Sequence, residues 1–372
     1  MLGIKKPSWL RRPSREVLKP LNNKHPESFV NAVYYPNYRI YRQQPPSSLD
    51  ISAITHIFYA FTKVDAGGKI TFSDEWADKQ IDVDGTKGCI AACRQLKQKH
   101  PQLKVIVSVG GGAASQHFAA MAGDKSSRQA FAHNARTFVD THGLDGLDID
   151  WEHPSDRTQG ASYIALLSDL RAALPAPTYT LTSALPAGTW ALKNIDPLSK
   201  AARSLDFINL MTYDFSGPWV PTAGYQSQLF APKNPHNDAA RISCDTAVTY
   251  LLRQGVPEHK ILLGIPAYGR SFLGAARAGD PYKGHGGEDG VFEYNQLPRP
   301  GAREHVDPET VAAYCVGGDG GFVTYDNVQT VKEKAAYVRR KKLGGVFYWT
   351  GTGDRKDHRH ALVRASWEVL KQ

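Results

Sequence analysis

Asp145, Asp148, Asp150 and Glu152 lie within nine residues, in Leu144-Asp145-Gly146-Leu147-Asp148-Ile149-Asp150-Trp151-Glu152. Ile149 and Trp151 interleave the last three acids, an alternation foreign to a solvated acidic turn. Alternate side chains of a strand share a face, so Asp148, Asp150 and Glu152 are expected to point together into a site, with Asp145 on the opposite parity. Three carboxyls on one buried face resist joint ionisation, so a proton is shared and at least one pKa is raised. A raised carboxyl is what general-acid chemistry needs. Carboxylates also suit Mg²⁺ or Ca²⁺. No His or Asn ladder follows to complete a metal shell, so no metal is expected.

Such a face needs a scaffold. Eight β-rich runs occur in order: Asn31–Tyr35, His56–Phe61, Lys104–Val109, Gly146–Trp151, Tyr179–Ala184, Phe207–Tyr213, Ile261–Ala267 and Gly345–Trp349. Most are near-continuous apolar stretches, as in parallel strands covered on both faces. Helical-period segments such as Arg128–Thr141, Ser162–Leu174 and Cys244–Gln254 separate several of them. Alternation repeated eight times predicts an α/β fold, a closed (β/α)8 TIM barrel, with the acids in its mouth. About 75 residues separate the seventh and eighth runs, far more than one crossover helix needs. They predict a small α+β insertion between strands 7 and 8, at about 270–335, within a catalytic domain of 29–372.

Composition sets outer bounds. Hydrophobic residues make up 41% and charged residues 22%, an ordinary globular balance. No apolar run is long enough to span a membrane, so no membrane partner is expected. The net charge is +9, but residues 1–28 hold seven Lys/Arg against Glu16 and Glu27, a local +5. The rest is mildly basic, which argues against a nucleic-acid surface. Residues 1–28 read as a solvated basic tail without the apolar core of a secretory signal. With no Asn-x-Ser/Thr sequon and only four cysteines, the chain fits an intracellular protein, or a secreted one whose signal lies outside this sequence. A monomer is expected.

The acidic run has the D-x-x-D-x-D-x-E signature of family 18 glycoside hydrolases. The chain resembles the fungal-type chitinases of that family from about Asn31 to Val369. The resemblance implies hydrolysis of β-1,4 bonds in chitin or N-acetylglucosamine oligosaccharides, without cofactor. It implies that Glu152 is the proton donor, that Asp150 orients the substrate acetamido group with Asp148 as its proton-sharing partner, and that Asp145 is structural.

Other segments resemble the same family. Ser108-Val109-Gly110-Gly111 matches its S-x-G-G element; no G-K-[ST] follows, so it is no Walker phosphate loop. In Met211-Thr212-Tyr213-Asp214, the resemblance makes Tyr213 a donor to the acetamido carbonyl and Asp214 a sugar contact at the scissile bond. It places Tyr268 and Arg270 near the leaving-group side, and Trp349 under the distorted sugar with Tyr34 in the same subsite. Ser108, Gly110, Gly111, Trp151 and Met211 are counted with the substrate-binding residues. Two positions depart from the family pattern: Gly112 stands where a Trp usually follows S-x-G-G, and Tyr38 where a Trp usually ends the first strand segment. The same signature leaves two other readings, an endo-β-N-acetylglucosaminidase on N-glycans and a non-catalytic chitin-binding lectin.

Overall fold

The computed structural model describes residues 29–372; the basic segment 1–28 lies outside the described residues. Eight parallel strands form the central sheet: β1 Val30–Pro36, β2 His56–Val64, β3 Lys104–Gly110, β4 Gly146–Asp150, β5 Thr180–Pro186, β6 Phe207–Met211, β7 Ile261–Pro266 and, after an excursion, β13 Gly345–Trp349. Each pairs with the next, and β1 pairs with both β2 and β13, which closes the barrel. A short antiparallel strand, Ile70–Phe72, extends β2 at the rim.

Side-chain parity divides the barrel into two apolar compartments. Ala32, Tyr34, Phe58, Ile106 and Phe347 fill the inside. Val33, Tyr35, Ile57, Val105 and Val107 pack outward against the helices. This is the period-2 alternation of a strand read in three dimensions. It also explains why the strand sequences are apolar almost throughout: both faces are buried.

The strand carrying the acids is placed by the helix before it. Asp124 caps Lys125–His142 by accepting the Ser127 N–H. Gly143, with φ of 64°, ends the helix in the left-handed conformation that favours glycine. Leu144 N–H then returns to Val139 O, and the chain enters β4. Asp145 clamps this entry: it accepts the Val105 N–H at 2.8 Å and pairs with Lys97 at 2.9 Å.

Between β7 and β13 stands a five-stranded antiparallel sheet: β8 Tyr268–Phe272, β9 Val291–Glu293, β10 Arg303–Asp307, β11 Ala312–Val316 and β12 Phe322–Tyr325, in the order β9-β8-β12-β11-β10. The helix Val328–Arg340 then leads back to the barrel, so residues 328–335 belong to that crossover helix. Because β8 starts two residues after β7 ends, Tyr268 and Arg270 are held at the barrel rim.

Candidate active site

A cavity of about 690 Å³ opens at the C-terminal ends of the strands, where barrel folds keep their sites. Its walls include Tyr34, Asp150, Glu152, Met211, Tyr213, Asp214, Tyr268 and Trp349. A second cavity of about 590 Å³ continues past Trp349, bounded by Tyr38, Asp214, Tyr268 and Arg270. The Ala60–Phe61, Glu152–His153 and Trp349–Thr350 peptide bonds, beside residues that line the first cavity, are cis.

The three acids occupy three environments. Asp148 is fully buried inside the barrel. Its Oδ2 accepts from Tyr34 Oη at 2.8 Å and Ser108 Oγ at 2.7 Å. Its Oδ1 accepts from Thr182 Oγ1 at 2.6 Å and Asn209 Nδ2 at 3.3 Å. Burial raises its pKa, and the Ser108, Thr182 and Tyr34 donors oppose that rise. A carboxyl ringed by donors is suited to carry the negative charge.

Asp150, only 4% exposed, has no such support. Among the described residues its Oδ1 has no hydrogen-bond partner. Burial first, then the Glu152 and Asp148 charges on either side, push its pKa well up. Of the two inner acids, Asp150 is therefore the one whose ionised form its surroundings favour less.

Glu152 lies just past the end of β4, half-buried at the cavity wall. Its backbone N–H donates to Ser115 Oγ at 2.9 Å. Burial and the Asp214 charge raise its pKa, and a backbone hydrogen bond from Gly112 opposes the rise. Asp214 itself sits at φ of 59°, in the left-handed region that Asp tolerates. Its Oδ1 accepts from Tyr268 Oη and Arg270 Nε, both at 2.7 Å. The Arg270 guanidinium lies 4.7 Å from the centre of the Trp219 ring.

Aromatic rings floor the site. Trp349 stacks on Phe61 at 5.7 Å and tilts against Tyr34 at 5.5 Å. Tyr213 meets Tyr268 edge-to-face at 6.4 Å, and burial pushes its phenol pKa up. Trp190 and Trp219 are 60% and 57% exposed, and both line the first cavity.

Four residues counted with the substrate-binding set do not line either cavity. Trp151 has odd parity on β4 and points outward, stacking on Phe118 at 5.6 Å beneath the helices. Ser108 is buried below the cavity and serves Asp148. Gly110, at φ of 114°, would place a Cβ 2.2 Å from Asp150 O, so glycine lets the ends of β3 and β4 meet. Gly111 donates its N–H to the same oxygen at 2.8 Å. These residues build the wall behind the acids.

The sequence reading passed over Asn209, Thr182, Phe61, His153, Trp190 and Trp219. Asn209 had a signal, since it shares parity with Met211 on β6. His153 directly follows Glu152. Phe61, Trp190 and Trp219 carried none beyond their residue type. All four cysteines are free and buried. Among the described residues no three His, Cys, Asp or Glu side chains gather to hold a metal ion.

Comparison with known proteins agrees with this geometry. Endochitinase 1 of Metarhizium robertsii is 35% identical over 359 residues, covering 90% of this chain and 84% of that protein. Chitinase 1 of Aphanocladium album is 33% identical over 370 residues, covering 93% and 86%. Among solved structures, the Group IV chitinase of Ostrinia furnacalis in complex with allosamidin gives a TM-score of 0.84 at 26% identity, over 93% of this chain and 99% of that one. Human YKL-39, described as a pseudo-chitinase with retained chitooligosaccharide binding, gives 0.82 at 26%, over 93% and 100%. The family model "Glycosyl hydrolases family 18" matches residues 30–354. With the acids of β4 at the barrel mouth and a match over most of its length, the chain belongs to glycosyl hydrolase family 18.

Proposed function

We propose that the protein is a chitinase that cleaves β-1,4-linked N-acetylglucosamine chains by substrate-assisted retention. The observation that carries this reading is the buried Asp150 carboxyl beside Glu152, whose Oδ1 has no hydrogen-bond partner among the described residues and whose ionised form burial disfavours. A two-carboxylate retaining mechanism needs an ionised nucleophile facing the acid. Besides Glu152, Asp150 and Asp214 are the carboxyls lining the first cavity. Burial disfavours an anion on Asp150, and the Oδ1 of Asp214 is engaged by Tyr268 and Arg270. The nucleophile then comes with the substrate, as its acetamido oxygen.

In this mechanism Glu152 transfers its proton to the glycosidic oxygen as the C–O bond breaks. The acetamido oxygen attacks the anomeric carbon and an oxazolinium ion forms. Asp150 hydrogen-bonds the acetamido nitrogen, Tyr213 donates to its carbonyl, and Trp349 supports the distorted ring. Glu152, now a carboxylate, takes a proton from the water that opens the ring. Arg270 and Tyr268 hold Asp214 against the scissile sugar.

Glu152→Gln tests the acid: it keeps shape and removes the transferable proton. Turnover should fall by several orders of magnitude while oligosaccharide binding persists. Near-normal hydrolysis would remove Glu152 from that role. NMR of the nascent product tests the nucleophile. Two inversions give an initial β-anomer, and fully N-deacetylated oligomers should be nearly inert; an initial α-anomer overturns the mechanism. The binding-only reading has one observation in its favour, the likeness to a pseudo-chitinase. Absence of turnover by the wild-type chain on N-acetylglucosamine oligomers that it binds would establish that reading instead.

A further inference from the structure

His153 follows the acid directly and lines the same cavity, yet the mechanism above does not use it. Its side chain is 17% exposed, with Nε2 3.6 Å from Glu152 Oε2. On the other side the ring meets Trp190 edge-on at 5.2 Å and 82°, which fixes its plane. Nδ1 is buried and has no hydrogen-bond partner among the described residues.

These contacts settle the tautomer. A buried N–H without a partner costs more than a buried lone pair without one. In neutral imidazole the hydrogen therefore sits on Nε2, inferred from the hydrogen-bond pattern, and Nε2–H faces Glu152. Burial lowers the His153 pKa to about 4, so the ring is neutral above that pH. Around it stand Glu152 and Asp150 from the β4 end and Asp214 from the loop after β6; Trp190, packed against it, is uncharged.

We infer that His153 is a positioning residue for Glu152, its Nε2–H closing onto the carboxylate formed once the leaving oxygen has taken the proton. This rests on the reading of Glu152 as the acid. At 3.6 Å the contact is too long for a hydrogen bond, which suits a protonated, uncharged Glu152. Ionisation shortens and strengthens such a contact. The proton lost by Glu152 goes to the leaving oxygen, and His153 keeps its own. The imidazole thus strengthens the acid in the first step and aims the base at water in the second.

The test compares His153→Phe, His153→Gln and His153→Asn by pH profiles of kcat and kcat/KM on a soluble N-acetylglucosamine hexamer. Phe keeps the packing on Trp190 and removes the donor. It should lower kcat about tenfold with KM nearly unchanged, and move the alkaline limb up by about one pH unit, because the anion has lost its donor. Gln carries an amide N–H near the position of Nε2 and should restore the limb and most of kcat. Asn reaches only the position of Nδ1 and should behave like Phe. Unfolding midpoints show whether each variant is folded; if Phe is not, the Gln–Asn contrast decides. Superimposable profiles for all variants, or a loss confined to KM, overturn the inference. If the wild-type chain hydrolyses no N-acetylglucosamine oligomer, it is the reading of the site that fails.

Discussion

Asp148 and Asp150 are alternate residues on β4, both inside the barrel, and their amide substitutions should shift stability in opposite directions. In Asp148→Asn the amide nitrogen replaces an oxygen that now accepts two donors: either Tyr34 and Ser108, or Thr182 and Asn209. Each lost bond to a charged acceptor is worth about 1.5–3 kcal/mol. Hydroxyl rotation recovers part of this, so the net loss should be about 2–4 kcal/mol. Asp150→Asn removes no accepted hydrogen bond at Oδ1 and removes a group whose ionised form is strongly disfavoured. Below the ordinary Asp pKa of about 3.9 both native and unfolded chains hold that proton, and the substitution should be nearly neutral. Above it the unfolded chain releases the proton while native Asp150 keeps it. Wild-type stability therefore falls as pH rises, by about 1.4 kcal/mol per unit for this group, until native Asp150 ionises. Asp150→Asn should become more stable than wild type with that slope, while losing activity. Urea midpoints followed by circular dichroism at pH 4, 5.5 and 7 measure both effects. Equal losses for the two variants, or a pH-independent gap between wild type and Asp150→Asn, would refute the placement of the proton.

Two further substitutions probe the cleft. Trp349→Ala should lower kcat by about ten- to a hundredfold, a few kcal/mol spent on holding the distorted ring, beyond any rise in KM; an unchanged kcat returns Trp349 to the core. Gly112→Trp places a Cβ 3.5 Å from Glu152 Oε1, an ordinary contact, so the backbone here accepts a side chain. Affinity for long oligomers or transglycosylation should rise, measured by product profiles from a hexamer. No change would mean that Trp190 or Trp219 already fills that place.

The barrel was legible because its signal is redundant. Eight apolar runs with helical segments between them admit few closed arrangements, and each observed strand begins and ends within three residues of its run. Parity predicted that Asp148 and Asp150 share a face, and the same parity, applied to Trp151, puts that ring among the helices. Counting Trp151 as a sugar contact followed the motif and ignored the alternation. Ser108, Gly110 and Gly111 were found as a motif but misplaced as contacts, because a motif marks a position and not which atoms face the cavity. The donors on Asp148 come from four different strands, and nothing in one strand reports its partners across a barrel. Trp190 and Trp219 sit on connections after β5 and β6, where no periodicity constrains direction.

The comparison set contains both enzymes and a relative described as binding without being a chitinase, on closely similar backbones. The fold thus serves both outcomes. Here the donors around Asp148 stabilise its anion, while burial first, and then the neighbouring charges, raise the pKa of Asp150. Burial, and then the charge of Asp214 fixed by Arg270 and Tyr268, raise the pKa of Glu152. Each carboxylate that is stabilised makes its neighbour harder to ionise. Three carboxyls of nearly equal intrinsic pKa are thus driven apart by their surroundings, with the donor-ringed Asp148 best placed to carry the charge. Only the outermost acid lies beyond the strand end, next to His153 in the cavity wall. In the mechanism proposed above, its proton is the one passed to the glycosidic oxygen, whereas Asp150, deeper in the barrel, accepts the acetamido N–H.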